Sequence, residues 1–479
     1  TATPTEHVAL EYPVNRGGSL VGYEVRALAD LDGDGYTELA VGAPWAQVDP
    51  TSPYLRPGVV NLYRGTATGF ASTPFQTLGA FTGHSTQDRF GEAITGLDDF
   101  NGDGYSDIAV VASLDDSSSA CSPAVGNSGA VHVFFGDGAG GFGAEPGLVY
   151  FGDQNGDQLH QITSADVNGD GLSDVIATSR YWDGPENERN IGGAAILLGR
   201  TLPTEPARLV VCRADTILLG TRQDDHMGSA VSRIGDLDGD GCEEFAIGAR
   251  LDDSGGGSNS GTARVVFGFG DSCTHMTPHR VVLGPGVANG QVGYGLAAGE
   301  DVDGDGLNDM VVGGPFFRTG GNTIGALWLV TGAYLQTLAT LATPWEDLVT
   351  PATFYPLIDP ASTKLLRLEG SAAAEEFGFK VSLMQGLVAA GRPVSDVAGA
   401  PGAGAVSVFR FGADGLDLIP WLGIGGETDR PRMDMGRAVT LTKQNNQPVL
   451  VVGAWKSSAL GLDEGAAFVV PVPVPTLLP

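Results

Sequence analysis

Short apolar runs with period-two alternation, rich in Val, Phe and Leu and bounded by Gly, Pro, Asn and Asp, recur along the whole chain. That pattern predicts short strands separated by turns. One apolar tetrad comes back as VGAP at Val41 to Pro44, VVAS at Val110 to Ser113, IGAR at Ile247 to Arg250, VGGP at Val312 to Pro315, AGAP at Ala398 to Pro401 and VGAW at Val452 to Trp455. ATSR at Ala177 to Arg180 reads as a worn copy, which brings the number to seven. After a polar loop each tetrad is followed by a Gly-led alternating run, such as GVVNLYRG from Gly58, GAVHVFFG from Gly129 or GALWLVTG from Gly325. Upstream of the tetrad lies another strand, often opened by an apolar residue and Gly: VGYEV at Val21, FGEAI at Phe90, MGSAV at Met227, VGYGL at Val292, FGFKV at Phe377 and MGRAV at Met435. A fourth strand is read from runs such as FQTLG at Phe75, DTILLG at Asp215 and LLRLEG at Leu365.

Four short strands per unit, repeated seven times at a period near 65 to 70 residues, predict an all-β, seven-bladed β-propeller, because radial closure hides the sheet edges an open array would expose. The run HVALEY at His7 lacks strand partners of its own, and the last unit lacks an outer strand after GAAFVV. The N-terminal strand is therefore expected to complete the seventh blade and close the ring. On this reading residues 1–472 form a single domain, with a longer insert at 335–370 before blade six. Residues 473–479 form a stiff Pro-rich tail.

A nine-residue motif, D-x-[DN]-G-D-G-x-x-[DE], lies between the first and second strands of the first five units. Its candidate ligands are Asp30, Asp32, Asp34, Tyr36 and Glu38 in the first copy and Asp99, Asn101, Asp103, Tyr105 and Asp107 in the second. The third copy offers Asp166, Asn168, Asp170, Leu172 and Asp174. The fourth has Asp236, Asp238, Asp240, Cys242 and Glu244, and the fifth Asp301, Asp303, Asp305, Leu307 and Asp309. Side-chain oxygens at positions 1, 3 and 5, a backbone carbonyl at position 7 and a chelating acid at position 9 form a hard oxygen set. Such a set suits Ca²⁺ better than Mg²⁺, which demands a stricter octahedron and keeps its waters. An EF-hand is excluded, because position 12 of the first copy is Val41, where a bidentate Glu would be required. Units six and seven carry MQGLVAAGRP and TKQNNQPV where this loop would stand. About five calcium ions are expected, and they would move the formal charge from −31 to −21.

Acidic and basic residues number 57 and 26. That balance opposes binding to nucleic acid, which needs a basic surface. No run of about 18 apolar residues is present to span a membrane. Cys121, Cys212, Cys242 and Cys273 form no C-x-x-C pair and fit one or two disulfides in an oxidising compartment, with three pairings open. The start at Thr1, without Met or a leader, suits a processed or trimmed chain. Enzyme signatures are weak. The G-x-G-x-x-G from Gly136 to Gly141 has no helix after it and reads as a turn, and Pro278 between His275 and His279 breaks the helix that would aim both at one metal. No nucleophile is nominated, and the chain is read as a non-enzyme.

The Phe-Gly strand start, the D-x-D-G-D-G loop and the Gly-Ala-Pro strand end, in that register, resemble the FG-GAP repeats of the integrin α-subunit propeller. The resemblance covers about residues 7 to 472. It departs in unit three, where Gln158-Leu159 stands for Phe-Gly, and in placing the cation loops in the first five blades, whereas integrins use later ones. The resemblance implies an extracellular, calcium-binding adhesion module, secreted or on a cell surface, that binds a protein or glycan on the face of the Gly-Ala-Pro ends. That face would carry Trp45, Tyr54, Arg56, Arg180, Tyr181, Trp182, Phe316, Phe317, Arg318 and Trp455. A lectin propeller and an accessory domain of a secreted hydrolase are the alternatives.

Overall fold

A computed structural model describes residues 8–10, 18–47, 56–79, 87–116, 121, 125–152, 154–202, 209–345, 354–362, 366–371, 375–396, 401–412, 415–416, 422–425, 434–454 and 465–472. Seven four-stranded antiparallel units are arranged as a β-propeller. Blade one is built from Val25–Ala27, Leu39–Ala43, Val59–Tyr63 and Gln76–Leu78, in order from the innermost strand to the outermost. Blades two to six repeat the order, opening with Phe90–Leu97, Gln161–Ala165, Met227–Gly235, Gly295–Glu300 and Val381–Met384. Blade seven takes Met435–Gln444, Gln447–Ala454 and Ala466–Pro471 from the end of the chain and Val8–Ala9 from its beginning. Val8 pairs with Val469 and Ala9 with Phe468, so the ring closes as the sequence predicts.

The second strand of each blade is apolar on both faces because it is covered on both. In Leu39–Ala43 the side chains of Leu39, Val41 and Ala43 pack with Val449, Val451 and Val469 of blade seven. Ala40, facing the other way, packs with Ile94, Ile108 and Val110 of blade two. This two-sided burial is the reason the tetrads read as continuous apolar runs.

The repeat's two glycine positions touch each other across the blade boundary. A Cβ on Gly42 would lie 2.1 Å from the carbonyl oxygen of Gly91. The same approach recurs from Gly248 to Gly293 at 1.9 Å, Gly313 to Gly378 at 2.0 Å, Gly391 to Gly436 at 1.9 Å and Gly453 to Gly22 at 1.9 Å. Backbone meets backbone, and no side chain fits. Two boundaries are built differently. Val111 of blade two stands where Gly42 does in blade one and packs in one cluster with Leu159 and Ile162 of blade three, and Thr178 of blade three bonds through its hydroxyl to the Gly228 carbonyl at 2.8 Å.

Two registers differ from those the sequence pattern predicts. The opening pair of blade three is Leu159-His160, not Gln158-Leu159: Leu159 sits under Gly129 as Phe90 sits under Gly58, and the His160 amide donates to Thr178 O as Gly22 N does to Gly42 O. In blade six the second strand is Leu387–Arg392, so the tetrad is Ala390 to Pro393 and not Ala398 to Pro401. The Gly391 contact identifies it, whereas the expected reading followed the literal Gly-Ala-Pro; residues 397–400 lie outside the described residues.

Two long connections leave their own blade and dress the outer edge of the preceding one. Leu209–Val211, between the third and outer strands of blade three, pairs in parallel with Leu148–Phe151 of blade two, and the Cys121–Cys212 disulfide fastens it. The expected insert includes most of Gly332–Ala339, the only helix among the described residues, together with Thr343–Pro344 and Phe354–Pro356, which pair with the outer strand His279–Gly284 of blade four. The chain then returns through Arg367–Glu369 to finish blade five. Both additions cover exposed strand edges. Residues 473–479 lie outside the described residues.

Candidate metal centres and the opposite face

The five acidic loops have one local geometry. The carboxylate at position 1 turns inward and accepts the amides of positions 4 and 6: Asp30 takes Gly33 N at 2.8 Å and Gly35 N at 2.7 Å, and Asp99 takes Gly102 N at 2.7 Å and Gly104 N at 2.8 Å. Position 5 accepts the amide of position 7, at 2.9 Å in each of Tyr36, Tyr105, Leu172, Cys242 and Leu307. Gly35, Gly104, Gly171, Gly241 and Gly306 have φ between +86° and +91° with open space beside them, so the left-handed backbone alone demands glycine there.

The acid at position 9 opens the second strand and is buried in every copy: Glu38, Asp107, Asp174, Glu244 and Asp309 are at most 1% exposed. One of its oxygens accepts the amide of position 2 and the other the amide of the glycine that ends the third strand. For Asp309 these donors are Val302 N and Gly332 N, both at 2.7 Å. For Asp174 they are Val167 N and Gly199 N at 2.8 Å, and for Asp107 Phe100 N at 2.8 Å and Gly136 N at 2.9 Å. Position 9 thus ties the loop to its own blade. Burial pushes these acids up, against the pull of the backbone amides: Asp107 to about 6, Asp174 and Asp309 to about 7 and Glu244 to about 8. Glu38 is raised for the same first reason.

In three loops, three carboxylates bring one oxygen each within 4.8 Å of the others: Asp30, Asp32 and Asp34; Asp236, Asp238 and Glu244; Asp301, Asp303 and Asp309. Such crowding raises the free energy of the ionised state unless a cation shares the site. Loops two and three have Asn101 and Asn168 at position 3, whose side-chain oxygens accept the position-5 amides at 3.0 and 3.1 Å. The first loop has a cation of its own, Arg64, 3.1 Å from Asp32 and 3.7 Å from Glu38. Cys242 at position 7 of the fourth loop is joined to Cys273, a pairing the sequence left open. Blades six and seven close the same connection in two residues, with Met384 opposite Leu387 and Gln444 opposite Gln447.

At the other ends of the second strands, the residues expected on a binding face divide. Trp45, Arg56, Tyr181 and Phe316 are partly exposed and Arg318 is exposed. Trp182 and Phe317 are 1% and 4% exposed and fill the core, Phe317 edge-on to Trp328 at 5.2 Å, so neither is a surface anchor. Tyr54 and Trp455 lie outside the described residues. Between the faces runs a central cavity of about 470 Å³, lined by the inner strands of all seven blades. The glycine-rich segment Gly136 to Gly141 is a turn, with Gly136 bridged to Phe142, and His275 and His279 stack at 4.0 Å.

Two family models match the sequence: the FG-GAP repeat at residues 21–54 and 292–330, and the FG-GAP-like repeat at residues 99–177. These repeats and the ring of blades are consistent with an FG-GAP, integrin-α-like β-propeller. Human integrin alpha-IIb is 28% identical over 154 residues, covering 32% of this chain and 14% of that protein. Rat integrin alpha-7 is 30% identical over 159 residues, 32% of this chain and 12% of that protein. Bovine phosphatidylinositol-glycan-specific phospholipase D is 30% identical over 208 residues, 40% of this chain and 22% of that protein. The chain thus spans less than a quarter of these relatives' lengths. No helix among the described residues is long and apolar enough to cross a membrane.

Proposed function

We propose that the chain is an extracellular, calcium-loaded propeller that serves as a protein-binding or adhesion module and not as an enzyme. The observation that carries this reading is the fivefold repetition of one acidic loop, with three carboxylates gathered round a common point in three of the copies and the acid at position 9 buried into the blade in all five. The donor set fits Ca²⁺: carboxylate and amide oxygens at positions 1, 3, 5 and 9 with a carbonyl at position 7. A bound ion would neutralise the crowded acids and hold the loop to its strand. The loop acts as a clip on the ring, and the opposite face, with Trp45, Arg56, Arg180, Tyr181, Phe316 and Arg318, is left for a partner. Two disulfides support an oxidising compartment.

Calorimetric titration of the chelator-treated protein with Ca²⁺ tests the metal, with about five ions per chain expected; a protein that takes up none overturns it. Adhesion is tested by capture from intact cell surfaces with and without calcium, followed by reconstitution with the purified partner. Failure to recover any partner that binds directly would count against the module. A second reading, a non-catalytic domain of a longer secreted hydrolase, is favoured by the match to the phospholipase D.

A further inference from the structure

The central cavity has one end where positive charge is left without a partner. The last tetrad position is Pro44, Ser113, Pro315 and Pro393 in blades one, two, five and six, but in the adjacent blades three and four it is Arg180 and Arg250. Arg180 donates to the Tyr181 hydroxyl at 3.0 Å and lies 4.8 Å over that ring. Arg250 donates to His226 Nδ1 at 3.1 Å and to Gln291 at 3.3 Å. The Nε of each is buried without an acceptor, and among the described residues no carboxylate pairs with either. Each guanidinium has five donors to satisfy. The two also oppose each other: burial and Arg180 together lower the proton affinity of Arg250.

His160 stands beside them, on the same cavity wall as Arg180. It occupies the position filled by glycine in the other six blades, is 6% exposed, and has neither ring nitrogen hydrogen-bonded. Its ring packs against Tyr181 at 6.4 Å, and Tyr181 against His226 at 5.9 Å, so the four side chains form one cluster with Arg250 across the boundary of blades three and four. Of the acids that line the cavity, Glu300 stands on the inner strand of blade five, and the other two have partners of their own. Glu24 pairs with Arg26 and Lys380 at 3.3 and 3.2 Å, and Glu92 accepts from Tyr23 and Ser113.

We propose that this mouth of the cavity is an oxyanion site, in which Arg180 and Arg250 hold a carboxylate, sulfate or phosphate group while the imidazole of His160 donates a further hydrogen bond from the cavity wall. Two uncompensated guanidiniums on a chain of net charge −31 are hard to account for as solubilising charge. Their fork geometry matches a bidentate oxyanion, and water would satisfy the donors without neutralising the charge. The inference goes beyond the protein-binding reading and is independent of calcium, since it needs only a small anion.

The test is calorimetric titration of the calcium-loaded protein with sodium acetate, sodium sulfate and sodium methyl phosphate at constant ionic strength, with chloride as reference. At least one oxyanion is expected to bind one per chain, and the preferred arm names the source. R180Q and R250Q are each expected to weaken that binding by tenfold or more, and Arg410→Gln, an exposed arginine on the third strand of blade six, to leave it unchanged. Binding that is equal in all variants, or absent in the wild type, overturns the site. Should either variant fail to fold, a selenate soak of wild-type crystals decides: an anomalous peak between Arg180 and Arg250 supports the site, and a peak elsewhere or none refutes it.

Discussion

Replacing Asp309 by Asn separates the two roles of the position-9 acid, because the change keeps shape and removes charge. Asp309 is 0% exposed and accepts two backbone amides at 2.7 Å. Its carboxyl is raised from 3.8 to about 7, chiefly by burial. At about 1.4 kcal/mol for each tenfold change in proton affinity, that displacement means about 4 kcal/mol opposing the ionised form in the metal-free fold at pH 8. Asn escapes this term but turns an NH₂ toward one of the two amide donors, losing about 1.5 to 3 kcal/mol of charge-assisted bonding. The two effects offset only in part, so in chelator at pH 8 D309N should be more stable than wild type by about 1 to 2.5 kcal/mol. With calcium at a hundredfold excess over its dissociation constant, wild type gains about 2.7 kcal/mol from this loop and the variant does not. The assay is urea unfolding followed by tryptophan fluorescence, with and without 10 mM calcium, and the quantity read is the difference between the two conditions. An identical difference between variant and wild type in both conditions would show that calcium gains nothing from position 9 and that the fifth loop holds no cation.

Gly391→Ala would place a Cβ 1.9 Å from Gly436 O and force two blades apart, costing about 3 kcal/mol, whereas Gly386→Ala, at φ +70° with open space around it, should cost about 1 to 2 kcal/mol; equal losses in melting experiments would sink the blade-contact argument. For pH, the sign follows from raised carboxyl affinities: the penalty on the metal-free fold is complete above the folded values of about 6 to 8 and vanishes below the unfolded ones. Chelator-treated protein should therefore melt higher at pH 5.5 than at pH 8, while the extra stabilisation by calcium shrinks over the same range; a metal-free Tm that falls on acidification contradicts this. Replacing Cys242 and Cys273 by Ser together should weaken one calcium site and spare the rest, read as the loss of one high-affinity step in calorimetry. Removing Arg64 as R64Q should strengthen calcium binding at the first loop, since the guanidinium 3.1 Å from Asp32 competes with the ion; an unchanged titration would refute that competition.

The sequence by itself determined the ring and the loops, because both are encoded by short-range pattern repeated many times. Alternation writes the strands, and the motif from Asp301 to Asp309 needs only its own nine residues and a tight turn to gather its acids. The orphaned run at His7 announced ring closure, since a closed sheet must find its missing strand somewhere. Tertiary structure decided what depends on contact between blades. That Leu159-His160 opens blade three and Ala390 to Pro393 is the sixth tetrad follows from which residue lies under the neighbouring backbone, and no local pattern marks that. Trp182 and Phe317 read as surface anchors from their place after a tetrad, yet they turn into the core, because the direction of a side chain after a strand end depends on the packing around it. Arg180, Arg250 and His160 are scattered through 91 residues of sequence and become one cluster only when blades three and four are set side by side. Whether a charge is paired or left open depends on distances that folding creates.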